Sequence, residues 1–382
     1  MIEKADVVII GGGVMGTSTA YHLAERGCQD VVLVEKKQLA SGSTALSAGG
    51  IRLQFSIEAN IRLSMESLRV FERFADEFEA EIDFRQHGYL FLATDPATWA
   101  EFQTNVAVQH RTGVPVRLLS PQEIGDMAPY LHVDDLLGGT FCPRDGYADP
   151  YSVAMGFAKQ ARRLGVRIRE ETEALDIKVS EGKVKAVVTN QGEIATPVVV
   201  NVAGPWAEQV GRMVGLELPA VPYRRQVFVT APFDEMPRQV PLIIDFGPSF
   251  YFRREGASIL MGMTDQDEPP SFNTNFDLAF LVKVADKAAY RAPVLDRADF
   301  MRGWGGLYSI TPDDNPIIGK DIGGVEGFYC AVGFSGHGFQ QSPAVGRILA
   351  ELITSGQTGF DLSPFQLERF KAEELMRERC VV

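Results

Sequence analysis

Apolar and polar positions along this chain change period several times, and each change marks an element. Val7-Val8-Ile9-Ile10 is a continuous β-branched run, as in a strand buried on both faces, and predicts a strand from Asp6 to Ile10. Glycines follow it. From Val14 to Arg26 the spacing turns helical, with Ala20, Leu23 and Ala24 on one side and Gly27 as a natural stop. Val31 to Val34 is a second apolar strand, closed by Glu35. Ser41 to Gly50 is rich in Gly, Ser and Ala and reads as a loop. Ala59 to about Glu79 places Leu63, Leu68, Phe71, Phe74 and Phe78 on one helical face. Tyr89 to Ala93 is strand-like, and Thr98 to about Gln109 is helical.

The middle of the chain opens a second unit. Asp149 is a good N-cap, Pro150 suits the first helical position and Gly165 suits the stop, with Val153, Phe157 and Ala161 on one face between them. Val166 to Glu170 alternates as a strand. A hairpin at Ser180-Glu181-Gly182 leads to Val184–Val188, and Pro197 to Val202 is another buried strand. Residues 218 to 310 read as mostly β, with strands at Val227–Val229, Leu242–Ile244, Ser249–Arg253 and Ser258–Gly262. Phe328–Val332 is a last strand. Pro343–Ile353 is a last helix, capped by Ser342 and ended by Gly356.

βαβ material therefore recurs at the start, middle and end of the chain, with β-rich material between. The expected class is α/β plus α+β. A discontinuous Rossmann-like, three-layer dinucleotide domain would take residues 1–85, 145–215 and 318–382. An interleaved, mostly antiparallel β-sheet substrate domain would take 86–144 and 216–317. No internal repeat or low-complexity segment is visible.

Composition narrows the functional classes. The 382 residues suggest two domains, and 45% apolar with 23% charged residues excludes a largely disordered chain. Lys plus Arg is 37 against 50 Asp plus Glu, a formal charge of −13, which gives no general footprint for nucleic acid or anionic lipid. Cys28, Cys142, Cys330 and Cys380 are far apart, with no CxxC and no zinc spacing, so reduced thiols and no metal site are expected. No apolar run approaches the ~18 residues of a membrane span. The first strand starts so early that no signal peptide is expected, and a cytoplasmic location follows as an expectation.

The chemistry begins at Gly11-Gly12-Gly13-Val14-Met15-Gly16, which fits G-x-G-x-x-G. Alone the pattern is weak. Here it follows a buried strand, opens a helix and is followed 19 residues after Gly16 by Glu35 at the end of the second strand. Gly11 allows the tight turn, Gly13 lets backbone approach a pyrophosphate, and Gly16 lets helix and strand pack closely. The helix start offers amide donors and partial positive charge. Glu35 can accept the ribose hydroxyls. The fingerprint does not distinguish NAD from FAD. The next segment, Ser41-Gly42-Ser43-Thr44 and Gly49-Gly50-Ile51-Arg52, is not the contiguous second half of an NAD dehydrogenase.

Four separated pieces, in this order, resemble the flavin-dependent amine and amino-acid oxidoreductases of the D-amino-acid oxidase superfamily. They are Asp6–Glu35, Ser41–Arg52, Asn201-Val202-Ala203-Gly204-Pro205-Trp206 and Thr311–Gln340. The last contains Gly333-Phe334-Ser335-Gly336-His337-Gly338-Phe339. Within the superfamily the chain is similar to the sarcosine oxidase β-subunit group and to the β-subunit of archaeal L-proline dehydrogenase, the latter notably at Asp145-Gly146 to Asp149-Pro150.

The resemblance implies an extended FAD. Gly11, Gly13, Val14, Met15, Gly16, Glu35 and Lys36 would hold its adenosine and pyrophosphate end, and Gly42, Ser43 and Thr44 the phosphates. Ala174 would meet the adenine, and Ala203, Gly204 and Trp206 the pyrophosphate region. Gly49, Gly50, Ile51 and Gly306 would approach the flavin, and Gly336, His337, Gly338, Phe339 and Gln340 would follow its pyrimidine side. Arg52 would hold a substrate carboxylate, with Tyr251 and Tyr308 lining the site and His337 near the ring. His87, before Gly88 and a strand, is a further candidate to face the site.

Departures from the family matter as well. Gly306 stands where single-chain sarcosine oxidases tether FAD through cysteine, so non-covalent FAD is expected. Leu260 replaces a lysine that speeds reaction with oxygen, which favours a dehydrogenase or a slow oxidase. Gln340 replaces a second substrate-binding lysine. Ala148-Asp149-Pro150-Tyr151 lacks the histidine that carries FMN in heterotetrameric enzymes, so FMN is expected only with a partner subunit, if at all. The expected activity is oxidation of a small sarcosine-, proline- or glycine-like amine, with oxygen or a redox partner as acceptor. Two alternatives stay open: a β-subunit working with a partner redox subunit, and a non-catalytic flavoprotein.

Overall fold

The computed structural model describes residues 3–371 and 375–380. The Val7–Ile10 run becomes a strand with all four residues buried. It pairs in parallel with Val31–Val34 on one side and with Val199–Asn201 on the other. Arg167–Arg169 and Phe328–Val332 extend the parallel set outward, and Ile317–Gly319 adds an antiparallel edge, giving six strands. Alternation along these strands feeds two cores. Val7, Ile9, Val31 and Leu33 face a layer of helices, Val14–Glu25, Pro150–Arg163 and Gly338–Ser355. Val8, Ile10, Val32 and Val34 face a four-stranded sheet made of Glu3–Lys4, Ala174–Ser180, Lys183–Thr189 and Gly192–Ala195. Three layers result, as the buried apolar strands require.

The β-rich excursions form one eight-stranded sheet. Its order is Phe300–Ile310, Val221–Thr230, Ser258–Met263, Phe250–Glu255, Leu242–Asp245, Tyr89–Ala93, Gly138–Cys142 and Arg117–Leu119. All neighbours are antiparallel except Leu242–Asp245 with Tyr89–Ala93, where the two excursions meet in parallel register, Leu242 opposite Tyr89. One face packs on the Leu278–Arg291 helix through Phe228, Phe252, Phe280 and Val284. A two-residue ladder, Gly50–Ile51 with Gly146–Tyr147, closes the loop after the second strand. No described helix is long and apolar enough to cross a membrane.

Several elements differ from the pattern reading. The expected helix from Ala59 to Glu79 is two, Glu58–Phe71 and Phe74–Phe78, broken at Arg73 with φ −120° and ψ 10°. The break turns Phe74 and Phe78 onto Phe157, at 5.2 and 4.7 Å between ring centroids. The helix expected from Thr98 starts at Pro96, because Asp95 caps it by accepting from the Ala97 and Thr98 amides. The last helix starts at Gly338, five residues before Pro343, and Ser342 lies inside it rather than at its cap. Asp149 does cap its helix, accepting from Ser152 N at 2.9 Å.

Candidate active site

The glycine turn is built by close approach. A Cβ on Gly11 (φ +119°) would lie 2.6 Å from the Val202 carbonyl oxygen, and one on Gly16 would lie 1.9 Å from that of Gly11. Strand, turn and helix pack as they do only because both are glycine. A Cβ on Gly13 would find only the Thr44 hydroxyl, at 3.0 Å, so this stretch of backbone stands open. Above it lies an elongated cavity of about 420 Å³. Gly11, Gly13, Val14 and Met15 line its floor, and Gly42, Ser43 and Thr44 the side facing them. Thr44 accepts from Val14 N at 3.1 Å, and Ser43 donates to the Leu307 carbonyl at 2.7 Å, which pins the loop between turn and sheet.

One end of the cavity holds Glu35, Lys36 and Ala174. The Glu35 carboxylate accepts from Gly12 N at 2.7 Å and Lys37 N at 2.9 Å. The Lys36 ammonium sits 3.4 Å above the Trp206 ring. Ala203, Gly204 and Trp206 form a side wall. The far end reaches the open face of the eight-stranded sheet, at Gly306, Tyr308 and Tyr251, and the start of the last helix, at Gly336, Gly338 and Phe339.

A second, smaller cavity of about 80 Å³ adjoins this far end. Ser47, Ala48, Tyr251, Tyr308, Ser335 and Gly336 line both. Gly50, Arg52, His337 and Gln340 complete the smaller one with Tyr89, Leu242 and Ile244. Arg52 is only 7% exposed. Its guanidinium donates to the carbonyls of Gln54 and Cys380 and stacks 4.0 Å from the centre of the Phe55 ring. Among the described residues no carboxylate pairs with it, and Arg52 is one of the residues that line this cavity.

Burial sets the protonation states. The Tyr251 and Tyr308 phenols are pushed upward by desolvation, so both are neutral donors. His337 is held well below its ordinary value, first by desolvation and then by Arg52, and is a neutral imidazole at physiological pH. Its Nδ1 is buried without a partner, and its ring stands edge-on to Phe55 at 5.0 Å. Among the described residues no carboxylate lines the smaller cavity.

Several sequence-derived site residues are placed elsewhere. Gly16 and Gly49 serve packing: a Cβ on Gly49 would meet the Ala148 carbonyl oxygen at 2.2 Å. Ile51 points into a hydrophobic core with Leu53 and Phe55. Gln340, by contrast, does line the smaller cavity, and its Oε1 accepts from the Arg52 amide at 2.7 Å, which braces Arg52. His87 lines neither cavity, because its ring packs edge-on to Tyr147, with centroids 6.3 Å apart. Leu260 packs with Val227 and Val229 under Ala48.

The sequence reading also missed contributors. Tyr89 was read as strand only, yet its hydroxyl lies where a Gly50 side chain would be, 1.9 Å from that Cβ position. Its signal is the small residue at 50, visible only once the two segments are known to meet. Arg225, whose Nε is buried without a partner, lines the larger cavity opposite Gly306 in the ladder.

The larger cavity fits a dinucleotide. It is long, it has side-chain-free backbone and a helix start at its middle, and it has a carboxylate at the end of the second strand. Comparison with known proteins agrees with this geometry. The family described as FAD dependent oxidoreductase matches residues 6–352. The mitochondrial dimethylglycine dehydrogenase of Rattus norvegicus is 32% identical over 96% of this chain, and the chain spans only 45% of that protein's length. Among solved structures, the L-proline dehydrogenase from P. horikoshii superposes with a TM-score of 0.92 at 35% identity, covering 98% of this chain and 100% of that one. The glycine oxidase from Geobacillus kaustophilus gives 0.87 at 26%, covering 96% and 99%.

Proposed function

This chain belongs to the FAD-dependent oxidoreductase family, and on that footing we propose that it oxidises a small amino acid or N-methyl amino acid at the carbon bearing nitrogen. One observation carries the reading. A cavity of about 80 Å³, holding a buried arginine and two neutral tyrosines, opens into the far end of the dinucleotide cavity. Bound FAD supplies the hydride acceptor at flavin N5. The names of the relatives support the substrate class, since they include dimethylglycine dehydrogenase, L-proline dehydrogenase and glycine oxidase.

The chain's own residues then have separable tasks. Arg52 receives the substrate carboxylate through charge-assisted hydrogen bonds. Tyr251 and Tyr308, held neutral, donate from the sheet face and orient it. Leu242 and Ile244 take the alkyl part, and the small volume restricts its size. Among the described residues no carboxylate lines the cavity to hold an ammonium, and Arg52 opposes a second cation, so the site selects the amine with its nitrogen deprotonated and its lone pair free. That lone pair assists departure of the hydride, and the resulting imine hydrolyses in water. His337, a neutral imidazole with no positive charge for the carboxylate, packs edge-on to Phe55 in the cavity wall. Glu35 and the glycine turn hold the adenosine and pyrophosphate end. Gly306 offers no thiol, so the FAD is held without a covalent bond.

An anaerobic titration with sarcosine, N,N-dimethylglycine, L-proline and glycine tests this. The flavin band bleaches with at least one of them under the proposal. An unbleached flavin with all four removes it. Readmitting air then separates slow recovery, expected with Leu260 in its buried place, from fast oxidase turnover.

A further inference from the structure

Asp145 is a fully buried acid that none of the tasks above uses. It lies beside the two-residue ladder that joins Gly50–Ile51 to Gly146–Tyr147, directly across from the Arg52 segment. One carboxylate oxygen accepts from Leu53 N at 2.8 Å, and the other from Gln54 Nε2 at 3.0 Å. Gln54 continues the chain of bonds. Its Nε2 also donates to the Tyr89 carbonyl at 3.2 Å, and its Oε1 accepts from the Thr140 hydroxyl at 2.7 Å. The Gln54 backbone carbonyl in turn takes an N–H of Arg52. The two residues after Arg52 are thus gripped by one carboxylate, and the second of them grips the guanidinium.

An apolar contact would bury this loop at lower electrostatic cost. What a carboxylate adds is acceptance from two consecutive residues at once, and a negative charge near a buried guanidinium that pairs with no carboxylate among the described residues. We propose that Asp145 is the positioning residue for Arg52: it fixes Leu53 and Gln54 so that the guanidinium faces the smaller cavity, and thereby sets affinity for the carboxylate end of the substrate. This rests on the carboxylate-binding reading of Arg52 given above. The groups facing Asp145 are Arg52, Gln54, the Leu53 amide and the Cys142 thiol. Asp145→Asn keeps the shape, yet sets an N–H against either the Leu53 amide or the Gln54 side-chain amide, so one bond becomes a donor–donor conflict.

The test uses the FAD-loaded protein and propionate, a carboxylate with no amine to oxidise, followed by perturbation of the flavin band. Asp145→Asn weakens propionate at least about tenfold and raises KM for the bleaching amine by a similar factor, as a lost buried hydrogen bond implies. kcat stays within about twofold, because the interaction is uniform in ground and transition states. In an Arg52→Ala background the same change has less than about a twofold effect on propionate, because the two residues act as one unit. An Asp145→Asn protein with unchanged propionate affinity, or an equal loss in both backgrounds, overturns the proposal and leaves Asp145 a purely structural acid. A parent protein that amines bleach but propionate does not perturb removes the carboxylate reading of Arg52, and this proposal with it. Thr140→Val approaches the same chain of bonds from its other end. It weakens propionate about threefold, the scale of one neutral hydrogen bond, at full FAD content. No weakening there overturns the proposal even if Asp145→Asn fails to fold.

Discussion

Asp145 carries a stability signature as well as a positional one. Burial raises its carboxyl from 3.8 to about 6, against the hydrogen bonds from Gln54 and Leu53 and the charge of Arg52 that favour the ionised form. Folding therefore takes up a proton between those two values. With more protons bound in the folded state, stability from this group falls as pH rises through that window, and the full penalty, roughly 3 kcal/mol for a shift of this size, is present above it. Asparagine has no such penalty. Denaturant unfolding of Asp145→Asn and its parent between pH 4.5 and 7.5 checks this, with the difference in stability moving in favour of the variant as pH rises. A difference that is flat with pH would mean that Asp145 is ionised in both states throughout. The residue scale also shows what the sequence could carry. Gly11 and Gly16 were legible because their backbone contacts admit no other residue, whatever surrounds them. Arg52 was legible as a cation but not in its setting, since the Cys380 carbonyl that receives its guanidinium lies 328 residues away. His87 was a candidate from its place before Gly88 and a strand, and no local signal shows that its ring turns to Tyr147.

Among the elements, the Gly338–Ser355 helix shows how a misplaced boundary hides part of a site. Pro343 argued for a start at 343, since proline is favoured in a first turn. The structure places it inside, where it has no N–H for the Phe339 carbonyl. The Ser342 hydroxyl supplies the missing donor, at 2.8 Å from that oxygen. The neighbouring helix adds a second tie, Ser18 Oγ to the Ser342 carbonyl at 2.8 Å. The helix can therefore extend back to Gly338, which brings its first amides to the cavity. Ser342→Ala leaves the Phe339 carbonyl buried without that bond. A loss of about 1–3 kcal/mol in urea unfolding follows, together with weaker FAD retention. Stability within about 0.5 kcal/mol of the parent, the range of an ordinary surface change, would show that the proline is accommodated otherwise. Strands such as Tyr89–Ala93, Leu242–Asp245 and Ser258–Met263 were legible from their apolar runs, whereas Arg117–Leu119, Gly138–Cys142 and Ile317–Gly319 were not, nor was the break at Arg73, where Phe74 and Phe78 pack on Phe157 from a helix far along the chain.

On the scale of the whole molecule, the larger cavity is the seam between its sheets. Gly11 and Ala203 follow strands of the six-stranded sheet, Ala174 begins a strand of the four-stranded one, and Arg225, Tyr251 and Gly306 belong to the eight-stranded one. Alternating hydrophobicity could assign strands to sheets only in outline. The parallel pairing of Leu242 with Tyr89 joins two excursions that no local signal connects. A ligand that touches all three sheets binds the folded arrangement and not the unfolded chain, so it must stabilise that arrangement by mass action. With free FAD at about 100 times its dissociation constant the gain is about 2.7 kcal/mol. For a chain of this length that corresponds to a rise in Tm of a few degrees. Because Gly306 offers no thiol, the flavin is expected to be removable. Acid precipitation should leave all of it in the supernatant, and the apoprotein, refilled with graded FAD, should show a Tm that climbs with the logarithm of free FAD. A yellow pellet would instead reveal a covalent bond to a residue other than Gly306. A Tm insensitive to FAD would mean that FAD does not bind the folded protein in preference to the unfolded chain at those concentrations, which removes this cavity as its site.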